Sequence, residues 1–227
     1  MNIFVCGNEE QRIEIQSIIS SDKFAFTFKN KLPENGDYKN HDVFLLLSDF
    51  SWLAVSEDTN AAYSPWLASS PTTTNKIDFA LFENKPVFIN AVTETLGELD
   101  FPSNVSRING WPGFLERDIW EIVSNDADRI ASIFKGFSRK IFLVKDEPGF
   151  VSARVISMII NEAFFALAEN VSTKEEIDLA MKLGTNYPQG PFEWAQKIGI
   201  EKIYYLLKKL SEKEERYLPA LSLKNYS

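Results

Sequence analysis

The sequence has one histidine and one cysteine, and each shortage closes off chemistry. With Cys6 alone, no internal disulfide forms and a cysteine-built metal site is excluded, so no metal is expected. A single thiol fits a cytoplasmic chain. His41 is the only imidazole, and its place just before an apolar strand pattern reads as a loop. No apolar run reaches the ~18–20 residues of a membrane span, so no membrane partner is expected. Positive charge is also short. A net charge of −8 argues against nucleic acid, whose binding needs a basic face. Asn2 to Gly7 reads directly as a strand, with no basic region and long apolar core before it, so no signal peptide is expected.

What is present suffices for a packed interior. Eighteen Phe and five Trp within 227 residues supply core for one large or two small domains. The most readable stretch runs from Lys145 to Gly199. Pro148-Gly149 stops a strand. From Val151 to Glu169, apolar residues recur at helical spacing around most of the circumference, leaving only Ser157 and Asn161 as a polar stripe. Such a helix is central to a bundle or lies at a subunit interface. Ser172 with Glu175 reads as a capping box, and the helix it opens is expected to bury Ile177, Ala180 and Met181 and to end at Gly184. Pro191 suits the first turn of a third helix, which runs to Gly199. A fourth follows with Ile203, Leu206, Leu207 and Leu210 on one face, and the charged tail from Glu212 is expected to fray.

This stretch resembles the C-terminal helical domain of the L-3-hydroxyacyl-CoA dehydrogenase family. Pro148-Gly149-Phe150-Val151, Asn161-Glu162-Ala163, Asp178 to Gly184, and Pro188 to Phe192 keep the family's order and approximate spacing over about a third of the chain. The resemblance implies a Rossmann-like, mostly parallel sheet followed by an all-α helical domain. The expected division is 1–146 and 147–227. It also implies a homodimer through the helical domain, NAD as the cofactor of an active member, and an acyl-CoA ligand.

The N-terminal part departs from that family at several chemical positions. The strand Asn2–Cys6, then Gly7, then a helix from Glu10 to Ser20 open a dinucleotide-binding pattern. Gly7 holds the place of the first fingerprint glycine and is the candidate cofactor contact. Glu9 and Arg12 stand where the second and third glycines belong and obstruct a pyrophosphate. Phe24 to Lys29 alternates as a second strand, and Lys29, Asn30 and Lys31 replace the ribose-binding acid. Asp42 to Leu47 reads as a buried central strand. The family's helical hairpin ahead of that strand is missing. Phe50 to Asn75, with Trp52, Tyr63 and Trp66, reads as a long aromatic-anchored connection or a loop carrying partner contacts. A helix from Lys76 to Glu83 is expected before the strand Pro86–Asn90.

Asn90 matches a family Asn and is a candidate substrate contact, while Val92 falls where the substrate-binding Ser belongs, and Thr93 replaces it only with a slip in register. Arg107 to Trp111 resembles the strand entering the family's catalytic His motif, but Pro112-Gly113-Phe114-Leu115 follows with no histidine. Glu121 matches the glutamate that orients that histidine and is the candidate base. Asn125 to Phe137 reads as a helix with Ala127, Ile130, Ala131 and Phe134 inward, and Lys140–Val144 as the last strand. In Pro-Gly-Phe-x-x-Asn-Arg, Ala153 replaces the Asn and Arg154 remains as a second candidate substrate contact. Two functional classes are therefore carried forward. One is a family-fold protein that has lost hydride transfer, keeps a binding or regulatory role and needs no cofactor. The other is an active NAD-dependent dehydrogenase with relocated catalytic residues.

Overall fold

The structure is a computed structural model and describes residues 1–18, 24–33, 36, 38–48, 77–135, 137 and 139–224. The expectations for Phe50 to Asn75 lie outside the described residues. The chain forms two compact units, Met1–Asp146 and Glu147–Ser227.

The first unit runs β1 (Asn2–Cys6), α1 (Glu9–Ser17), β2 (Ala25–Lys29), β3 (Val43–Leu46), β4 (Val87–Ile89), α2 (Leu96–Leu99), β5 (Val105–Ile108), β6 (Ile119–Val123), α3 (Ala127–Phe134) and β7 (Lys140–Leu143). Among the described residues these strands form one sheet, in the order β2-β1-β3-β4-β5-β6-β7. All neighbours pair in parallel except β5 with β6. The central strands read as unbroken apolar runs because both faces are covered, and Val43 to Leu46 are all buried. Alternate residues serve opposite cores. Ile3, Val5, Leu45 and Phe88 pack with Ile15 of α1 and Phe134 of α3. Phe4, Phe44, Leu46 and Ile89 pack with Phe82 and Tyr38 on the other face. Each such side chain contributes about 1.5–3 kcal/mol on full burial. The chain leaves β1 for β2 on one side and returns to β3 on the other. The strand order thus reverses at β1, above the carboxyl ends where α/β sheets take ligands.

Three expectations for this unit change. The helix placed at Lys76 to Glu83 is a single 3-10 turn, Phe79–Phe82, because Glu83 and Asn84 adopt left-handed φ of 50° and 60° and stop it. In α3, Ile130 and Phe134 face inward, but Ala127 and Ala131 are exposed. Two large residues a turn apart cover the core, and the alanines are left to solvent. The first helix ends at Ser17 rather than at Ser20.

The second unit runs α4 (Ser152–Ala168), α5 (Lys174–Thr185), α6 (Pro191–Ile198), α7 (Ile200–Ser211), a 3-10 turn (Glu215–Tyr217) and α8 (Leu221–Lys224). α4 is central, with Ala153, Ile156, Ile160 and Phe164 buried. α7 buries Ile203, Leu206, Leu207 and Leu210, as their spacing requires.

α5 differs from expectation in three ways. Its cap is Thr173 with Glu176, one residue later than Ser172 with Glu175. The Ser172 hydroxyl instead donates to the Glu176 carboxylate. Gly184 lies within the helix, and Asn186 ends it in the left-handed region at φ 55°. The residue it buries is Asp178. Ile177 and Met181 are half-buried and Ala180 is exposed. Asp178 is drawn inward by chemistry rather than hydrophobicity, because its carboxylate accepts from Phe192 N at 2.8 Å and Glu193 N at 3.2 Å, two leading amides of α6.

Up to Lys224, the end of the described residues, the tail is held rather than frayed. Asn161 on α4 donates to Leu218 O at 3.0 Å and accepts from Ala220 N at 2.8 Å. Tyr217, Ala220 and Leu223 are buried at helical spacing, while Glu212 to Glu215 stay outside.

Candidate functional site

The carboxyl ends of β1, β3, β4 and β5 meet through backbone and amide side chains. Leu47 N donates to Cys6 O at 2.7 Å and Asn90 N to Leu46 O at 3.0 Å, which brings the ends of β1, β3 and β4 level. Asn90 then ties three segments. Its Nδ2 donates to Leu47 O at 3.1 Å, and its Oδ1 accepts from Gly110 N at 3.0 Å. Its side chain is buried. Gly7 sits beside the same point, and a Cβ placed on it would lie 2.9 Å from Gln11 Oε1 and 3.4 Å from Leu47 Cβ. The structure thus brings Gly7 and Asn90 to one place, the switch point of the sheet.

α1 closes over that place with its own polar side chains. Asn8 Oδ1 accepts from Gln11 N at 2.8 Å, and Gln11 Oε1 accepts from Asn8 N at 2.9 Å, which is a reciprocal capping box. Gln11 Nε2 uses both protons, donating to Leu47 O at 2.8 Å and to Gly110 O at 2.7 Å. One turn on, the buried Glu14 carboxylate accepts from Gly113 N at 2.5 Å and Leu115 N at 3.1 Å. The 110–115 turn is buried throughout. Trp120 adds a bond from its indole N–H to Leu115 O at 2.8 Å.

A dinucleotide does not fit these residues. Its pyrophosphate needs open backbone at the first helix turn. Here the space beside Gly7 is filled by Gln11, the helix amides at Asn8 and Gln11 are already bonded, and the first turn carries Glu9 and Glu10. Glu9 is held ionised by its bond to Arg12, which lowers its pKa.

The other sequence candidates make local contacts. Glu121 on β6 is half-buried. Its backbone carbonyl accepts from Asn109 N at 3.3 Å, and Asn109 Nδ2 lies 3.5 Å from its carboxylate. Arg154 belongs to the helical unit, where its guanidinium donates to Pro148 O at 2.8 Å and lies over the Tyr217 ring at 5.8 Å. His41 is beside Thr27 Oγ1 at 3.0 Å and edge-on to Phe4, within the aromatic core on one sheet face. Val92 is buried, and its carbonyl accepts from Arg107 Nη2 at 3.2 Å.

Sequence reasoning missed Gln11, Glu14 and the pair Arg107–Asp146. Arg107 is fully buried on β5. It donates to Ala91 O at 2.8 Å and pairs with Asp146 at 2.5 Å. Burial pulls the Arg107 pKa down, opposed by the Asp146 carboxylate. Asp146 also accepts from Leu96 N and Gly97 N. A readable signal existed for α1: residues 11, 14, 15 and 18 share one helical face, so two polar side chains there had to point inward with Ile15 and Ile18.

A family model described as 3-hydroxyacyl-CoA dehydrogenase, C-terminal domain, matches residues 149–226. The 3-hydroxyadipyl-CoA dehydrogenase of Escherichia coli (strain K12) is 41% identical over 88 residues, which are 38% of this chain and 18% of that protein. The 3-hydroxybutyryl-CoA dehydrogenase of Clostridioides difficile is 38% identical over 80 residues, 35% of this chain and 28% of that protein. The matched stretch therefore spans less than a third of either relative. A solved 3-hydroxybutyryl-CoA dehydrogenase from Escherichia coli K12 aligns at a TM-score of 0.51 and 30% identity over 61% of this chain and 30% of that one. The (S)-3-hydroxybutyryl-CoA dehydrogenase of Ralstonia eutropha aligns at 0.64 and 17% identity over 99% of this chain and 92% of that one, a likeness of fold. Residues 149–226 are thus similar to the C-terminal domain of the 3-hydroxyacyl-CoA dehydrogenases, and the sheet before them has a Rossmann-like fold.

Proposed function

We propose that this chain is a family member that has lost NAD-dependent hydride transfer and keeps a binding or regulatory role. The observation that carries the reading is the set of residues following the central strands: Gly7-Asn8, Leu47-Ser48, Asn90-Ala91 and Asn109-Gly110. None of these side chains takes up or releases a proton near neutral pH. Oxidising a hydroxyl carbon requires a group that moves the hydroxyl proton. His41, the only imidazole, precedes β3 and so lies at the amino-terminal end of that strand, beside Thr27 and the Phe4 ring. The competing reading is an active NAD-dependent dehydrogenase, and it requires Glu121 as the relocated base with Asn90 and Arg154 as substrate contacts.

In the proposed role the chain acts as a homodimer through its helical unit and takes an acyl-CoA without turning it over. Support for the dimer is an unpartnered apolar surface on that unit. Leu179 and Leu183, one turn apart on α5, are 53% and 78% exposed, and Val171 is 68% exposed.

The test is turnover. Purified chain is mixed with NADH and acetoacetyl-CoA, the oxidised partner of 3-hydroxybutyryl-CoA, and NADH consumption is followed. The expected rate equals that without protein. Sustained consumption that scales with protein would overturn the reading.

A further inference from the structure

A helix that follows the first strand of a dinucleotide fold needs partners for its leading amides, and a bound pyrophosphate supplies them. In this chain α1 supplies its own. The Gln11 side-chain amide is completely used: its oxygen takes Asn8 N, and its two protons go to Leu47 O and Gly110 O. Glu14, one turn on, takes two amides of the turn that follows β5. The two side chains are 2% and 4% exposed. They join residues 99 to 101 positions apart in sequence.

We propose that Gln11 and Glu14 form a built-in clasp that takes the place of the dinucleotide. The clasp holds residues 110–115 down on α1, so that the N-terminal unit closes over its strand ends without a cofactor and excludes one. The inference rests on the functional reading above and gives it a physical cause. Three facts carry it. The space that Gly7 leaves is filled to contact by Gln11 Oε1. The Glu14 carboxylate is out of water, which is costly unless its hydrogen bonds are kept. Lifting the 113–115 backbone would strip them, so the turn and the helix stay together. The first helix turn also carries Glu10 beside the Glu9–Arg12 ion pair, a net negative charge that opposes an incoming anion where the helix dipole would otherwise attract it.

The experiment is amide hydrogen exchange on the full chain, with and without millimolar NADH, together with thermal melting. In the wild type the Gly113 and Leu115 amides are expected to exchange slowly, with no change in exchange or melting temperature on adding NADH. Gln11→Ala and Glu14→Gln are expected to speed exchange at these two amides by about tenfold or more, while Phe44 and Leu45 in β3 keep their protection. Unchanged exchange at Gly113 and Leu115 in both variants would overturn the clasp. So would NADH-induced protection or a raised melting temperature in the wild type, a measurement that holds even if a variant fails to fold. NADH binding without turnover would remove the clasp and leave the loss of hydride transfer standing. NADH consumption with acetoacetyl-CoA would remove that reading.

Discussion

Gln11 Nε2 donates to Gly110 O at 2.7 Å, joining the first helix to the turn after β5 across 99 residues. That bond lies where the sheet's strand order reverses, beside Gly7 and Asn90. The candidate ligand position and the contact that seals it are therefore the same few atoms.

Arg107 is the second polar anchor of that unit. Replacing it by Met leaves the carbonyls of Ala91 and Val92 without this donor, while Asp146 keeps the Leu96 and Gly97 amides. The expected loss is about 1–3 kcal/mol, for buried carbonyls left without a partner. Urea denaturation of Arg107→Met measures it. A loss under about 1 kcal/mol would contradict the assignment.

Gly190 is required by close approach. A Cβ there would lie 2.3 Å from Asp178 Cγ. Gly190→Ala is expected to cost about 1–3 kcal/mol by pushing Asp178 off the α6 amides. Asp178→Ala alone is expected to cost about 1–2 kcal/mol as a lost helix cap. Because both act on one contact, the double variant should fall short of the sum.

Asn161 holds the C-terminal segment through Leu218 O and Ala220 N. Asn161→Ala is expected to cost about 1–3 kcal/mol. It should also open the 212–224 segment to a protease at a dilution that spares the wild type. Equal resistance of the two proteins would show that the tail is held by Tyr217 and Leu223 alone.

Acid should loosen the α5–α6 corner. The Lys182 ammonium, then the Gly190 N–H, hold the Glu193 pKa below its ordinary value of 4.5. The folded value is depressed, so the contribution is complete above 4.5 and disappears as pH falls through the lowered folded value. The pair is largely solvated, so its effect is modest. Melting curves from about pH 6 to 3 should fall less steeply for Glu193→Gln than for the wild type.

The proposed dimer places α5 at the interface. Light scattering at working concentration is expected to give twice the chain mass of 25.9 kDa, and Leu183→Lys is expected to shift it toward the monomer. A monomeric wild type would refute the interface.

Much of this molecule was legible because its elements announce themselves by period. The runs at 3–6, 43–46 and 87–89 are apolar without interruption, as strands buried on both faces must be. Pro191, the α7 leucines and the Pro148-Gly149 turn were equally readable. The α5 cap was not. Ser172-Thr173 followed by Glu175-Glu176 offers the same capping box in two registers, and spacing alone does not choose between them. The tail was misread because its charges hide a spacing of three between Tyr217, Ala220 and Leu223, and because its anchor, Asn161, lies more than fifty residues away. At the candidate site, Gly7 and Asn90 stand out because the family resemblance marks them, and the structure sets both beside Leu47. The clasp does not, because a Gln and a Glu on a short helix look like surface until the turn at 110–115 supplies amides for them to bind.

The most direct test of the closed strand ends is a calorimetric titration of NADH into the full chain, repeated with NAD⁺. The clasp predicts no heat beyond dilution for either. Saturable heat with micromolar affinity would contradict it, because a dinucleotide would then be entering the space that Gln11 and Glu14 fill.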